Sequence, residues 1–369
     1  MLDRRVFPQI DWLLIGAALL LALLGVAMIY STEGMADSSW RRTIHVKQLL
    51  WILFGLLGLL VAISVNWRTL ARFSYGIYGV ALVCLLVVAV KGKTGMGAQR
   101  WIALGPLSFQ PSELMKIALM LALAKYLADR GEPIRRARDL FFPALFILTP
   151  VLFVLRQPDL GTALVLLCTS LVLLLLYGVP WRYVISSAVL ALFAFPFFWT
   201  LLRDYQKERI ITFLNPQHDP LGAGYHIIQS QIAVGSGKLS GKGWLSANQS
   251  QLNFLPEHHT DFVFAVSAEQ FGLVGSLLIL FLYLVVISRA FLIARQARDL
   301  FSALLASGIV TIITFQVVVN IGMVTGLMPV VGIPLPLMSY GGTSMFITMV
   351  SLGLLLNIRM RRYLWTGRG

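Results

Sequence analysis

About ten long apolar runs follow one another along the chain, separated by short polar segments. The hydrocarbon core of a bilayer is about 30 Å thick, and a helix needs roughly 20 apolar residues to cross it. Backbone groups in lipid must be satisfied within each segment, and alternating strand patterns are absent. The predicted class is therefore all-α, a polytopic membrane protein with about ten transmembrane helices, at 10–31, 46–64, 74–91, 112–128, 140–156, 160–178, 181–202, 262–288, 302–326 and 340–358.

Clusters of arginine set the predicted orientation. They occur in the loop 129–139, after the eighth run and in the C-terminal tail, and a cytoplasmic N-terminus places all three clusters inside. This agrees with the positive-inside rule, although Arg41 and Lys47 on the other side make the contrast imperfect. An even number of spans then puts both termini in the cytoplasm.

One interruption is far longer than the others. Residues 203–261 form a polar stretch with a Gly-rich centre, which is periplasmic on this topology. A loop of that length is usually functional or disordered, and Tyr225, Trp244 and Phe254 favour at least partial order. We predict a large periplasmic loop between helices 7 and 8, within a single membrane domain over 1–369.

Composition excludes an ordinary soluble protein. Of the 369 residues, 58% are hydrophobic and 12% charged, with a mean hydropathy of +0.80, whereas soluble domains are about 25% charged. The net charge of +14 does not indicate a nucleic-acid partner, because the basic residues lie in short clusters between apolar runs. Cys84 and Cys168 lie inside such runs, so neither is placed to join exported loops.

Two segments carry charge at the start of apolar runs. Glu113 and Lys116 are three residues apart on one helical face and can pair. Because charge in a membrane is expensive, they form either a structural ion pair or the lining of a site for an anionic substrate. Asp159 begins the sixth run, where it either caps a helix or contributes to the same site.

The densest polar cluster, Glu257-His258-His259-Thr260-Asp261, directly precedes the eighth run. Asp261 suits a helix N-cap, but a cap does not require the neighbouring histidines and glutamate. These residue types also bind metals, yet the spacing typical of zinc sites is missing. The residues alone therefore leave a helix cap, a structural metal site and another functional role open for this cluster.

Two Gly-rich segments complete the candidate chemistry. Residues 235–243 place Lys238 and Lys242 among glycines without Walker spacing, so they form either a flexible loop or a backbone approach to phosphate. Asn320 and the Pro- and Gly-rich segment 334–344 interrupt the last membrane region. Such backbone either lines a substrate groove or allows close helix packing.

Together these segments resemble the SEDS (shape, elongation, division and sporulation) family of peptidoglycan glycosyltransferases. The resemblance covers about 10–358, and 219–230 is similar to the rod-shape branch rather than the division branch. Lys238 is a departure, since the family often has Gly there. The motifs occur in a fixed order, with Gly-Ala-Gln-Arg-Trp at 97–101, Gln-Pro-Ser-Glu at 110–113, and further stretches at 157–161, 255–264 and 334–342.

The resemblance implies an enzyme that polymerises lipid II at the periplasmic face of the bacterial inner membrane during rod-shaped cell elongation and releases undecaprenyl pyrophosphate. It implies that Asp261 matches the catalytic aspartate. The implied partners are lipid II as donor and acceptor, a class B penicillin-binding transpeptidase and other elongation-complex membrane proteins. The predicted substrate-binding residues are Arg100, Glu113, Lys116, Asp159, Gln229, Lys238, Thr260, Asn320, Ser339 and Ser344.

The residue types suit this reaction. Pyrophosphate is a good leaving group, so transfer needs mainly a carboxylate base for the acceptor 4-hydroxyl and cations for the developing negative charge. Asp261 is the candidate base, and Arg100, Lys116 and Arg209 are candidate pyrophosphate contacts. A divalent cation, Mg²⁺ or Mn²⁺, is compatible with the pyrophosphate oxygens, and no organic cofactor is expected.

Two other functions remain open at this point. A lipid II flippase would also suit many spans and intramembrane charges, but it needs polar residues that reach both membrane faces. A scaffold for the elongation machinery would not need Glu113, Lys116, Asp159 and Asp261 to converge.

Overall fold

The computed structural model describes residues 10–33, 43–95, 98–104, 107–201, 204–215, 223–246 and 259–364. A short 3-10 helix, Ala137–Leu140, precedes the fifth helix. The helices are α1 Trp12–Glu33, α2 Ile44–Ser64, α3 Trp67–Lys91, α4 Pro111–Arg130, α5 Phe141–Arg156, α6 Leu160–Tyr177, α7 Trp181–Leu201, α8 Asp204–Leu214, α9 Ala223–Ser236, α10 Val263–Arg295, α11 Leu300–Val324 and α12 Gly342–Leu364.

The long helices coincide with the apolar runs of the sequence. Within the described ranges, eight helical segments are long and apolar enough to cross a membrane. The polytopic helical class is therefore confirmed, while the count of ten stays a prediction. The long polar stretch 203–261 contains α8 and α9, so part of it is ordered as expected.

A small antiparallel sheet between α3 and α4 is the departure from the all-helical expectation. Its strands, in the order β1-β2-β3, are β1 Lys93–Gly95, β2 Ala98–Leu104 and β3 Leu107–Phe109. Lys93 pairs with Trp101, and Ile102 pairs with Phe109. The sheet carries Arg100 on its central strand, close to the start of α4. Two of its strands have only three residues, too few to show an alternating pattern.

A charged cluster fixes which helix ends lie together. Asp11 just before α1 contacts Arg289 near the end of α10, with Nη2 and Oδ2 2.9 Å apart, and it also contacts Arg359 near the end of α12. We call this the inner end of the bundle. If successive long helices alternate in direction, the starts of α4, α6, α10 and α12 and the end of α11 share the opposite end, here called the site end.

Helix α10 is broken at Gly272, where φ is 63° and ψ is −156°. The segment 237–243 inserts at the break and satisfies the backbone groups that the helix no longer pairs. The N–H groups of Leu273 and Val274 donate to the carbonyls of Lys238 (2.9 Å) and Leu239 (3.2 Å). In return, Lys242 and Gly243 donate to α10 carbonyls at 3.0 Å. The Gly-rich segment is therefore bound against α10. The N–H groups of Lys242 and Gly243 bond to this helix rather than to a phosphate.

Gly272→Ala is expected to lower the free energy of unfolding by about 2–4 kcal/mol, since this backbone conformation disfavours side chains and the segment is closely packed. A Cβ at position 272 would lie 2.4 Å from the backbone nitrogen of Gly241. Gly76→Ala on α3 is the matched control, because nothing lies within 4 Å of a Cβ there. Thermal unfolding of the purified protein checks this, and equal midpoints for the two variants would contradict the role of the break.

Candidate active site

Asp261 lies on the turn that enters α10, and a buried amide from another helix holds it there. The Nδ2 of Asn320, near the end of α11, donates to the carbonyl of Asp261 at 2.9 Å and to that of Ile333 at 2.8 Å. The N-cap position of α10 is Phe262 rather than Asp261. Asp261 is half-buried, so its position is fixed by neighbours while part of it stays accessible.

The Pro- and Gly-rich segment before α12 holds the same turn from its other side. The hydroxyl of Ser339 donates to the carbonyl of Thr260 at 2.5 Å, and the N–H of Tyr340 donates to the carbonyl of His259 at 2.8 Å. Ser339 also accepts from the N–H of Leu335 at 2.8 Å. Three consecutive carbonyls, from 259 to 261, are therefore held by donors from two other segments. The hydroxyl of Ser339, predicted to bind substrate, is engaged within the protein as a positioning group.

The short segment 331–333 lies close to two parts of the site. Gly161 brings it near the start of α6, and Gly332 brings it near the Asp261 carboxylate. A Cβ on Gly161 would lie 2.7 Å from the carbonyl oxygen of Val331. A Cβ on Gly332, whose φ is 72°, would lie 3.5 Å from Oδ2 of Asp261. The segment 331–333 therefore lies next to both the Asp261 carboxylate and the start of α6, and the convergence of Asp159 and Asp261 on one site stays a prediction.

Asp159 caps α6 and also belongs to a polar network with Gln110 and Arg100, while its role in a substrate site stays a prediction. Its Oδ1 accepts from the N–H of Thr162 at 3.2 Å, which caps α6. Its Oδ2 accepts from the side chain of Gln110 at 3.3 Å, and its Oδ1 lies 3.7 Å from Nη1 of Arg100. Arg100 also donates to the carbonyls of Gln157 (3.2 Å) and Pro158. The sheet and α6 therefore hold one partly exposed guanidinium at the site end.

Glu113 and Lys116 form the predicted ion pair, with Nζ and Oε2 2.8 Å apart. Both residues are buried, at 3% and 4% exposure. The backbone N–H of Glu113 donates to the carbonyl of Gln110, the residue that binds Asp159, so the pair adjoins the same network. The structural pair is present, and a direct contact of Lys116 with substrate stays a prediction.

The remaining predicted residues are more dispersed. Gln229 is half-buried on α9, which is tied to α11 by the hydroxyl of Ser230 on the carbonyl of Val324 at 3.0 Å. Ser344 lies in the first turn of α12, and its carbonyl accepts from the hydroxyl of Thr348. Lys238 lies at the break of α10, roughly 15 Å along the helix axis from its start at the usual rise of 1.5 Å per residue.

Lys238 has a φ of 48°, the left-handed region that favours glycine, and it is exposed. Lys238→Gly is expected to stabilise the protein by about 1 kcal/mol, since the strain of a left-handed side chain is removed. Thermal unfolding measures this effect. Polymerisation measured on the same sample tests the predicted substrate contact separately: unchanged activity would contradict that contact, and a lower unfolding temperature would contradict the strain.

A second ion pair, which the sequence did not predict, lies near the break, and only its carboxylate is buried. Nζ of Lys242 lies 2.6 Å from Oε1 of Glu269, which is fully buried on α10. The next residue, Gln270, donates to the hydroxyl of Ser31 on α1 at 2.7 Å. Glu269, a carboxylate two turns into an apolar helix, was the sequence feature that could have indicated this pair. Its partner, Lys242, lies on a loop that comes close only in the folded protein.

His226 on α9 stacks on Phe262, the residue after Asp261, with ring centroids 6.3 Å apart. Burial, aided by the nearby Arg209 guanidinium, lowers the pKa of His226 below its ordinary value of 6.5. The imidazole is therefore neutral at pH 7. Arg209 adds to this lowering of the pKa, and its predicted contact with pyrophosphate stays a prediction.

The described residues contain no group of three or more His, Cys, Asp or Glu side chains that could hold a metal ion. Glu257 and His258, part of the cluster that prompted the metal hypothesis, lie outside those residues, as do 219–222 of the rod-shape stretch.

This fold and site define a polytopic membrane protein whose polar network gathers around a fixed aspartate at one end of the helix bundle. The FtsW/RodA/SpoVE family model, described as "Cell cycle protein", matches residues 11–364, and the chain belongs to this family. The predicted family resemblance is thereby confirmed.

Individual proteins are similar over nearly the whole chain. "Peptidoglycan glycosyltransferase MrdB" of Escherichia coli K12 is 42% identical over 93% of this chain and 92% of that protein. A chain of a peptidoglycan synthase complex that coordinates polymerization and crosslinking is 37% identical, with a TM-score of 0.83 over 96% of this chain and 98% of that one. The rod shape determining protein RodA of Thermus thermophilus is 35% identical, with a TM-score of 0.72 over the same shares.

Proposed function

We propose that this protein is a peptidoglycan glycosyltransferase that polymerises lipid II at the periplasmic face of the bacterial inner membrane during rod-shaped cell elongation. The names of its relatives support the activity. The assignment of Asp261 as the base rests on the turn 259–261. Its three backbone carbonyls accept hydrogen bonds from Asn320, Ser339 and Tyr340. A base fixed in this way needs no reorganisation when the acceptor arrives.

Asp261 acts as the base in this mechanism. Its carboxylate takes the proton of the acceptor 4-hydroxyl while that oxygen bonds to the anomeric carbon of the donor. The bond from that carbon to the phosphate oxygen breaks, and undecaprenyl pyrophosphate leaves with the bonding electrons. A single displacement from the face opposite the leaving group converts an α-linked donor to a β-linked product, by analogy with inverting glycosidases.

Arg100 supplies positive charge for the leaving group. It is a quarter exposed and is held by two backbone carbonyls, while Asp159 lies at the longer distance of 3.7 Å. A fixed guanidinium suits the paired oxygens of a pyrophosphate. The described residues hold no group of side chains for Mg²⁺ or Mn²⁺, so such an ion would bind the pyrophosphate of the substrate and would offset its negative charge.

The orientation places both termini in the cytoplasm. The arginine-rich loop 129–139 and the ends of α10 and α12 then lie inside, which agrees with the positive-inside rule. Asp261, Asp159 and Arg100 then face the periplasm. A class B penicillin-binding transpeptidase is the proposed partner, since a similar chain belongs to a complex that combines polymerization with crosslinking.

The interior of the bundle favours a transferase over a flippase. Below Lys116, helix α4 contributes Leu119, Met120 and Leu123, each fully buried in the apolar core. A flippase needs a polar path for the lipid II head group between the two faces. Between Lys116 and Lys125 the sequence of α4 is entirely apolar, so this helix offers no such path.

Detergent micelles separate these two functions, because they have no second membrane face to which lipid II could move. The purified protein, in complex with its transpeptidase, is incubated with lipid II and the glycan products are resolved by length. We expect polymer in micelles. No polymer in micelles, together with lipid II movement across protein-containing vesicles, would replace the transferase by a flippase.

A further inference from the structure

A cavity of about 270 Å³ opens at the inner end of the bundle, away from Asp261. Its walls come from the starts of α3 and α11 and from the end of α12. We call it the arginine pocket, after the three arginines among its lining residues Trp67, Arg68, Arg298, Asp299, Ile358 and Arg361. None of these residues has a role in the proposed transfer reaction.

The arginine pocket is electropositive. Arg361 is anchored in its wall, where it donates to the carbonyls of Ser64 (3.3 Å) and Val65 (3.1 Å). Arg298 is exposed and has no hydrogen-bond or ion-pair partner within the described part of the chain. Among the described residues of the lining, the only carboxylate is that of Asp299, which caps α11 through the N–H of Ser302 at 2.9 Å. Three guanidinium groups thus share one cavity with one carboxylate that is already engaged.

The positive-inside rule explains why arginines lie at this end, but not why three segments direct them into one cavity. Arg295, at the end of α10, and Arg138, before α5, are exposed at the same end and do not line it. They satisfy the topology rule equally well. The convergence of Arg68, Arg298 and Arg361 therefore calls for a ligand with matching charge.

The residues that line the arginine pocket favour the phosphate group of a lipid as its ligand. Guanidinium groups match phosphate oxygens in charge and geometry. The volume lies just below the range of about 300–1,000 Å³ for small-molecule sites, which suits a head group whose remainder lies outside. Trp67 is typical of a membrane interface, and the last turns of α2 at this end expose Leu60 (56%) and Val61 (63%) to acyl chains.

We propose that the arginine pocket binds the phosphate group of an anionic phospholipid, with its acyl chains along the apolar surface beside the pocket. On the proposed orientation, this lipid belongs to the cytoplasmic leaflet. Basic pockets between transmembrane helices on that side are suited to such head groups. The bound lipid joins the ends of α3, α11 and α12, three segments that are far apart in sequence.

The test compares lipid binding to two double variants with equal loss of charge. Arg68→Gln/Arg298→Gln alters the arginine pocket, whereas Arg138→Gln/Arg295→Gln removes two exposed arginines elsewhere at the inner end. Arg361 is left intact because it also holds the α2–α3 turn. Native mass spectrometry follows the binding of phosphatidylglycerol and of phosphatidylcholine to each detergent-solubilised protein, and the unfolding temperature of each variant checks its fold.

We expect the control to bind phosphatidylglycerol as the wild type does, and the pocket variant to bind it roughly 25-fold more weakly, at about fivefold for each arginine. If the double variant does not fold, Arg298→Gln alone is expected to show a loss of about fivefold. Equal losses in pocket and control variants, or phosphatidylcholine binding as tight as phosphatidylglycerol binding, would overturn the proposal. If inorganic phosphate bound as tightly as phosphatidylglycerol, the ligand would be free phosphate rather than a lipid, and the proposal would be wrong.

Discussion

Lys116→Met is expected to lower the free energy of unfolding by about 3–5 kcal/mol, because it leaves the carboxylate of Glu113 buried without its partner. The two charges are 2.8 Å apart on α4 and almost completely excluded from solvent. A lone buried charge keeps its desolvation cost and loses the attraction that offset it. The variant should therefore unfold at a clearly lower temperature than the wild type.

The same helix provides a matched control. Lys125 pairs with Asp129 at 2.7 Å, but both side chains reach solvent, at 27% and 52% exposure. Lys125→Met should change stability by less than about 1 kcal/mol. Glu113→Gln/Lys116→Met should recover part of the loss, since no unpaired charge remains. Equal destabilisation by Lys116→Met and Lys125→Met, or additive losses in the double variant, would contradict a buried pair.

Helices were predictable from the sequence because a long apolar run in lipid must satisfy its own backbone hydrogen bonds, and a helix does so. The predicted 181–202 and 302–326 differ from Trp181–Leu201 and Leu300–Val324 by at most two residues at each end. The prediction ended α10 at 288 because the apolar run ends at the polar residues Ser288 and Arg289. In the structure the helix continues through them to Arg295. The sheet was missed because its outer strands are very short, although Gly105-Pro106 is a dipeptide typical of turns.

The members of the site were predictable as costly polar residues near the membrane, but their partners were not. Asn320 and Asp261 are 59 residues apart in sequence, and Gln48, which donates to the carbonyl of Ser339, is 291 residues away from it. Such contacts depend on tertiary packing. The close approach of Gly161 and Gly332 to neighbouring segments likewise depends on where two distant elements meet. A single sequence gives no distance between them.

Asp261→Asn is expected to reduce the rate of glycan polymerisation by about 10²–10⁴-fold, the usual contribution of general base catalysis. The amide has the same size as the carboxylate but cannot take the proton of the acceptor hydroxyl. Folding should be retained, because Asn320 holds position 261 through its backbone carbonyl rather than its side chain. Asp129→Asn, an equivalent change at an exposed position on α4, should leave the rate unchanged.

The most direct test of Asp261 as the base is polymer formation from lipid II by the wild type, Asp261→Asn and Asp129→Asn. Each protein is purified in complex with the transpeptidase and matched for folding and for yield of the complex. The wild type and Asp129→Asn should produce glycan strands at similar rates, and Asp261→Asn should produce almost none. Equal polymer from all three would contradict the assignment of Asp261 as the base.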